Sequence, residues 1–173
     1  MWPGQSCEDA SGHISASITA RLTLRDTRRA VSENLDLVRS IYADWERGDY
    51  SKAAQWAHAD IEYVNADGPA PGTWTGPHGM AEGFRDWVNA WHGYYTRAEE
   101  YHELGDERVL VLNHSGGHGR ASGLDLGEMQ AKGATLFHVR HGEVTRLVAY
   151  WDREGALADL GLEPEGDAAD RRD

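Results

Sequence analysis

The residues that could transfer a proton or hold a ligand fall in two short segments. Tyr63 and Asn65 stand two apart in "DIEYVN", a pattern typical of a strand, so both side chains would lie on one face. His114 and His118 bound "HSGGH", which predicts a glycine-rich loop. A loop at a cavity rim could turn either imidazole inward, where it would be a general base. These four residues are the candidate catalytic residues.

Other residues that could take part in chemistry are not predicted to form a site. Asp152 directly precedes "REGALADLG", and an aspartate there accepts N–H bonds from the first turn of a helix, so we interpret it as an N-cap. The nine histidines show no spacing of a recognised metal site. We therefore predict no metal and no cofactor.

The elements that must position these residues predict an α+β fold. Helical patterns cover three segments: 32–48, a short segment capped by Asp49, and "PHGMAEGFRDWVNAWHG". Between the last two, residues 60–65 are predicted to form a strand and "ADGPAPGTWTG" a loop. From residue 94 onward, four strands precede a last helix, "DREGALADLG". Successive strands pair antiparallel while helices collect on one side. We assign the domain to residues 31–162, with a flexible arm over 1–30 and a disordered tail over 163–173.

Composition narrows the possible partners and location. The formal net charge of −12 repels phosphate backbones, so we expect no nucleic acid partner. No segment approaches the roughly 20 apolar residues of a membrane span, and residues 1–30 lack the apolar stretch of a signal peptide. Cys7 is the only cysteine, which fits a reducing compartment. We expect a cytoplasmic protein that does not bind membranes.

The order and spacing of four segments resemble the nuclear transport factor 2-like superfamily, specifically its SnoaL-like branch. The segments are "RGDY", "ADIEYVNADG", "GTWTGPHGM" and "HGEVTRLVAYWDREGALADLG". The resemblance implies a cone-shaped barrel in which a curved mixed or antiparallel sheet wraps around three N-terminal helices, followed by a short C-terminal helix. It also implies a homodimer formed across the outer sheet face.

The enzymes of this superfamily imply catalytic residues that the chain matches only in part. Resemblance to the ketosteroid isomerases implies a carboxylate base, a neutral acid and a tyrosine. In this sequence those positions fall on Asn65, Thr135 and Ile41 respectively, and Tyr42 is one residue away from the tyrosine position. An amide cannot take a carbon-bound proton near neutral pH, so this chemistry is not carried over.

Limonene-epoxide hydrolases imply a Tyr-x-Asn pair that positions a water, which Tyr63 and Asn65 match. Their arginine and two carboxylates fall on Ser115, Gly117 and Ala149. The acid and base positions of both enzyme classes are therefore unmatched, and whether catalysis occurs stays open.

The inward face implied by this resemblance is mostly apolar, with amides and hydroxyls. Side chains alternate along strands, so Leu147, Ala149 and Trp151 share the cavity face. A bulge in the glycine-rich strand would turn Glu128 or Gln130 inward, and their face stays open. The residues predicted to line a ligand pocket are Trp74, Trp91, Asn113, Thr135, Phe137, Leu147 and Trp151.

Two functions fit these patterns. The first is a domain that binds a small hydrophobic molecule, with isomerase, cyclase, dehydratase or hydrolase chemistry if it is an enzyme. The alternative is a non-catalytic dimeric module for binding or assembly, because a fold does not fix a function.

Overall fold

The computed structural model describes residues 33–68, 70–89, 91–121 and 124–162. The predicted arm over 1–30 and tail over 163–173 lie outside the described residues, as does Ser32, where the first helical pattern begins. The elements are helix α1 (33–46), a 3-10 helix (Ser51–Gln55), strands β1 (Ala57–Asn65) and β2 (Gly72–Thr75), helix α2 (Gly76–Asn89), strands β3 (Trp91–Glu103), β4 (Arg108–Ala121), β5 (Leu124–Arg140) and β6 (Glu143–Tyr150), and helix α3 (Arg153–Asp159).

The six strands form one curved, unclosed mixed sheet in the order β2-β1-β6-β5-β4-β3. Strands β3 to β6 pair antiparallel in chain order, as consecutive strands do. Strand β1 pairs parallel with β6 on one side and antiparallel with β2 on the other. The predicted α+β class, with helices packed against a curved mixed sheet and a short C-terminal helix, is confirmed.

Helix α1 packs one side against the sheet, as its apolar spacing predicts. Val38 and Tyr42 are buried, and Leu35 and Trp45 pack against the same cluster. Gly48 has φ 77°, and its N–H donates to the Trp45 carbonyl at 2.8 Å. A positive φ suits glycine at a helix end, so the helix stops where the sequence predicts.

The two faces of strand β4 belong to two different cores. Val109 and Val111 join the cluster that contains α1 and α2, whereas Leu110 and Leu112 join a second cluster covered by α3. Alternate side chains point to opposite faces, so residues 109–112, which are covered on both sides, are all apolar. The predicted N-cap is confirmed: the Asp152 carboxylate accepts hydrogen bonds from the backbone N–H groups of residues 154 and 155, at 3.2 and 3.1 Å.

Three predicted boundaries are wrong because tertiary pairing overrides local pattern. The segment expected to be a loop contains β2, which pairs with residues 62–65 of β1. Trp91 was predicted to lie in the third helical segment, but it begins β3, where it pairs with Gly119. The expected glycine-rich loop after residue 115 is the continuation of β4, which is paired on both edges. Glycine is permissive rather than excluded in strands, and two neighbouring strands supply the hydrogen bonds.

The helices in the described ranges include none long and apolar enough to cross a membrane.

Candidate ligand-binding cavity

A cavity of about 110 Å³ lies between the helices and the inner face of the sheet. Ten of its lining residues are aromatic, drawn from α1, α2, the strands β1, β3 and β6, and the loops that flank these elements. The indoles are those of Trp45, Trp56, Trp87 and Trp151. The other rings are those of Tyr42, Tyr50, Tyr63, Phe84, Tyr94 and Tyr150. An engineered apolar cavity of about 150 Å³ binds benzene, so this space suits a ligand of comparable size.

The inner wall of the cavity is a closed network of neutral polar groups. The Tyr42 hydroxyl donates to Thr135 Oγ1 at 2.9 Å and accepts from Asn113 Nδ2 at 3.0 Å. Asn113 Nδ2 also donates to Thr135 Oγ1 at 2.9 Å. Ser115 Oγ donates to Thr96 Oγ1 at 2.9 Å. All five residues are buried, so these bonds satisfy groups that would otherwise be costly to remove from water.

Tyr63 and Asn65 share one face of β1, as their spacing predicts, and both line the cavity. The Tyr63 hydroxyl donates to Asn65 Oδ1 at 2.7 Å, and Asn65 Nδ2 donates to the Ala70 carbonyl at 3.2 Å. The Tyr63 hydroxyl hydrogen and one amide hydrogen of Asn65 are therefore engaged within the protein. Burial raises the pKa of Tyr63 above its ordinary value, more than the hydrogen bond to Asn65 lowers it. This phenol is a neutral group at physiological pH.

Burial dominates the ionisation of the other deep tyrosines as well. It raises the pKa of Tyr42, of Tyr50 and of Tyr94. Hydrogen bonds to Thr135 and Asn113 lower the pKa of Tyr42, but by less than burial raises it. The inner wall therefore offers hydroxyls and amides and carries no charge near neutral pH.

Asp67 supplies a carboxylate at the edge of the cavity. Its Oδ1 accepts from the Trp151 backbone N–H at 2.5 Å and its Oδ2 from the Asp152 N–H at 3.1 Å. Among the described lining residues it is the single acid, and none is lysine, arginine or histidine. Sequence reasoning missed Asp67, although Tyr63, Asn65 and Asp67 continue one two-residue alternation.

Two buried polar atoms lack a hydrogen-bond partner within the described chain: the Tyr50 hydroxyl and Trp91 Nε1. The Tyr50 ring packs 4.8 Å from the Phe84 ring. An unpaired buried hydroxyl costs about 1–3 kcal/mol. Tyr50 thus differs from Tyr42, whose hydroxyl is fully engaged.

Four aromatic residues of the cavity lining contact one another edge to face in succession and are here called the aromatic box: Phe84, Tyr94, Trp87 and Trp151. Trp87 lies 5.3 Å from Trp151 at 69° and 6.4 Å from Tyr94 at 86°. Phe84 lies 6.4 Å from Tyr94 at 79°. These are edge-to-face contacts, so each ring plane is steeply inclined to that of its neighbour in the box.

Of the residues predicted to line a pocket, the structure brings together Asn113, Thr135, Leu147 and Trp151 in the lining. Three others lie behind it and are not lining residues: Trp74, Trp91 and Phe137. Trp91 stacks on Trp151 with ring centroids 5.4 Å apart. Phe137 is fully buried in the core.

Trp74 is held away from the cavity by glycine. A Cβ at Gly83 of α2 would lie 2.6 Å from the Trp74 indole, and a Cβ at Gly72 would lie 2.7 Å from it. The indole thus lies against positions that only glycine allows. Its ring also stacks on Tyr63 at 5.5 Å, so Trp74 buttresses the lining from outside.

His114 and His118 lie in β4, so the rim loop predicted for them is wrong. His114 alternates with the lining residues Asn113 and Ser115, and its ring packs 6.0 Å from Tyr95. His118 is exposed. Neither imidazole lines the cavity, because β4 fixes side-chain direction by alternation.

The residues whose face the sequence left open are only partly described. Gln130 is exposed and pairs with Gly116 in register; the side chain of Glu128 lies outside the described residues. The described ranges hold no group of three histidine, cysteine, aspartate or glutamate residues that could bind a metal ion.

Fold and cavity together define a cone-shaped α+β protein whose curved sheet and helices enclose an aromatic cavity. Residues 38–147, more than half of the chain, match the model of the SnoaL-like domain. The chain belongs to this family, within the nuclear transport factor 2-like superfamily. No protein with a curated description matches it in sequence.

Solved structures of low sequence identity share this fold. A protein of ketosteroid isomerase-like fold from Catenulispora acidiphila DSM 44928, in complex with trimethylamine, is 22% identical, with a TM-score of 0.55, covering 73% of this chain and 93% of that one. TerC, co-crystallised with polyporic acid, is 22% identical with a TM-score of 0.59, covering 74% and 97%. A candidate polyketide cyclase from Xanthomonas campestris pv. campestris is 22% identical with a TM-score of 0.58, covering 76% and 98%.

Proposed function

We propose that this protein binds a small, predominantly apolar molecule in the cavity between its helices and sheet. The observation that carries the proposal is the lining itself: ten aromatic residues surround about 110 Å³ of space, and the polar groups of the inner wall bond to one another. Binding sites for small molecules are concave, mostly apolar and furnished with a few placed polar groups. Two proteins of this fold hold small molecules, trimethylamine and polyporic acid.

The hydrogen-bonding state of the lining favours binding by shape and ring contact. Tyr63 and Asn65 donate to acceptors within the protein, which leaves the lone pairs of the Tyr63 oxygen to accept a bond from a ligand. The engaged network around Asn113 holds the inner wall rigid. A ligand that needs many new hydrogen bonds would therefore compete with bonds already made.

A second candidate function is isomerase or cyclase chemistry without a cofactor, and Asp67 is the observation that favours it. Its carboxylate lines the same cavity as the neutral phenols of Tyr63 and Tyr94. A carboxylate base that shares a cavity with neutral phenols is one arrangement that moves protons between carbons. Turnover of a cyclic ketone that disappears in Asp67→Asn would support this function. Dehydratase and hydrolase chemistry have no comparable observation.

A thermal-shift screen with small apolar ketones, amines and single-ring aromatics tests the binding function. A ligand at about 100 times its Kd stabilises the folded state by about 2.7 kcal/mol. Ala149 lines the cavity, so Ala149→Phe should fill it and abolish the shift. Ala158→Phe, on the exposed side of α3, is the matched control and should retain the shift. A screen in which no compound raises the wild-type Tm would overturn the proposal.

A homodimer formed through the outer sheet face, and a cytoplasmic location, complete the proposal. The dimer is supported by family resemblance, and the location by the single cysteine. Light scattering coupled to gel filtration tests the dimer: a mass of twice 19.2 kDa is expected, and a monomer mass would contradict it.

A further inference from the structure

We infer that the ligand of this cavity carries a small methylated ammonium group, held in the aromatic box. This inference rests on the proposed binding function and names its ligand class. The box was defined above by its four rings, from α2, from β3 and from the residue after β6. Each ring lines the cavity.

The geometry of the box suits a cation surrounded by methyl groups. Aromatic rings carry negative charge on their faces, and a cation within about 6 Å of several faces is attracted to each. Trp87 stands at 69° to Trp151 and at 86° to Tyr94, so the faces point in different directions. A tetrahedral ammonium presents methyl groups in several directions and can therefore contact rings in steeply inclined planes.

The charges around the box select for a cation. Asp67 is bonded to the Trp151 backbone N–H, which places its carboxylate beside one wall of the box. Lysine, arginine and histidine do not occur among the described lining residues, so an anion would find no counter-charge there. The side chain of Arg153 is engaged by Glu99 and by the Asn113 carbonyl. The net charge of −12 also attracts cations toward the protein.

The aromatic lining and its neutral inner wall favour methyl groups on the cation. The inner wall is neutral because burial keeps the Tyr42 and Tyr63 phenols protonated, and its donors are engaged within the protein. A fully methylated ammonium has no N–H bonds to satisfy and presents methyl groups to the aromatic lining, so it can bind without new hydrogen bonds. The volume of about 110 Å³ accommodates such a head group.

Calorimetric titration with isosteric ligands separates charge from shape. Choline and 3,3-dimethyl-1-butanol have the same shape, and only choline is charged; benzoate serves as an anionic ring. Choline should bind at least about tenfold more tightly than the neutral isostere, because desolvated cation–π contacts exceed the hydrophobic contribution. Benzoate should not bind.

Two matched variants locate the charge effect. Asp67→Asn should weaken choline binding about tenfold more than it weakens the binding of the neutral isostere. Asp86→Asn removes the same charge from an exposed position of α2 and should leave both affinities unchanged. The comparison of the two isosteres on the wild-type protein needs no variant, so the inference is tested even if Asp67→Asn fails to fold.

Each outcome of the titration bears on one proposal. Equal affinities for choline and its isostere would show that the cavity recognises shape and not charge. That result would overturn the ammonium inference but would still support the proposed binding function. The same holds if only neutral ketones or rings bind. If no compound of any class binds, the proposed function itself is wrong.

Discussion

The hydroxyl groups of Tyr42 and Tyr50 allow one chemical change to be tested in two opposite environments. Both tyrosines line the cavity, and each can be replaced by phenylalanine with the loss of a single oxygen. In Tyr42→Phe, the donated bond to Thr135 and the bond accepted from Asn113 are lost. Each is worth about 1 kcal/mol net, and one amide hydrogen of Asn113 is then left buried without an acceptor. We expect a loss of about 2–3 kcal/mol in the free energy of unfolding.

Tyr50→Phe should act in the opposite direction. The Tyr50 hydroxyl is buried and has no hydrogen-bond partner in the described ranges, so its removal takes away a desolvation cost without breaking a bond. We expect a gain of about 1 kcal/mol in stability, since an unsatisfied hydroxyl costs about 1–3 kcal/mol.

Urea denaturation followed by tryptophan fluorescence measures both variants. A change in midpoint at constant m-value reports stability alone. Thermal unfolding should show a drop of roughly 8 °C for Tyr42→Phe and a smaller rise for Tyr50→Phe. The reasoning is refuted if Tyr42→Phe unfolds at the wild-type midpoint, or if Tyr50→Phe is the less stable of the pair.

Three further substitutions test single contacts. Gly133→Ala should destabilise by about 2–3 kcal/mol in urea denaturation, because its Cβ would lie 2.5 Å from the Tyr150 carbonyl; wild-type stability would contradict this contact. Asp152→Ala should cost about 1 kcal/mol through the lost N-cap and leave ligand affinity unchanged, and an altered affinity would place Asp152 in the site. Burial first, then neighbouring arginines, hold the pKa of His138 below 6.5. As pH falls through 6.5, the histidine of the unfolded state therefore takes up its proton before that of the folded state. The wild-type protein should lose more stability between pH 7 and pH 5 than His138→Gln does. Equal losses would contradict a lowered pKa for His138.

Local pattern was enough to predict the elements that frame the cavity. The apolar spacing of α1 and the alternation of β4 and β6 follow directly from residue order, and they place Tyr42, Asn113 and Leu147 on buried faces. Alignment with ketosteroid isomerases put Ile41 at the tyrosine position; the structure has Ile41 in the core and Tyr42 at the cavity. A helix turns about 100° per residue, so an error of one position changes which side chain reaches a site.

The rest depended on long-range pairing, which residue order does not reveal. The glycine-rich segment around His118 became strand because β3 and β5 both pair with it, and this directed His114 away from the cavity. Trp74 was predicted to line the pocket, but it packs against glycines of α2, outside the cavity. Asp67 belongs to the cavity because its carboxylate bonds to a backbone far along the chain.

The indole N–H resonances of the tryptophans provide the most direct test of ligand binding in this cavity. Trp87 and Trp151 line it, whereas Trp74 packs behind it and serves as an internal control. On titration of choline into 15N-labelled protein, the Trp87 and Trp151 signals should shift together and saturate, with a much smaller change at Trp74. Ala149→Phe should abolish these shifts. Saturable binding that moves neither lining indole, or that persists in the filled variant, would contradict a ligand site in the cavity.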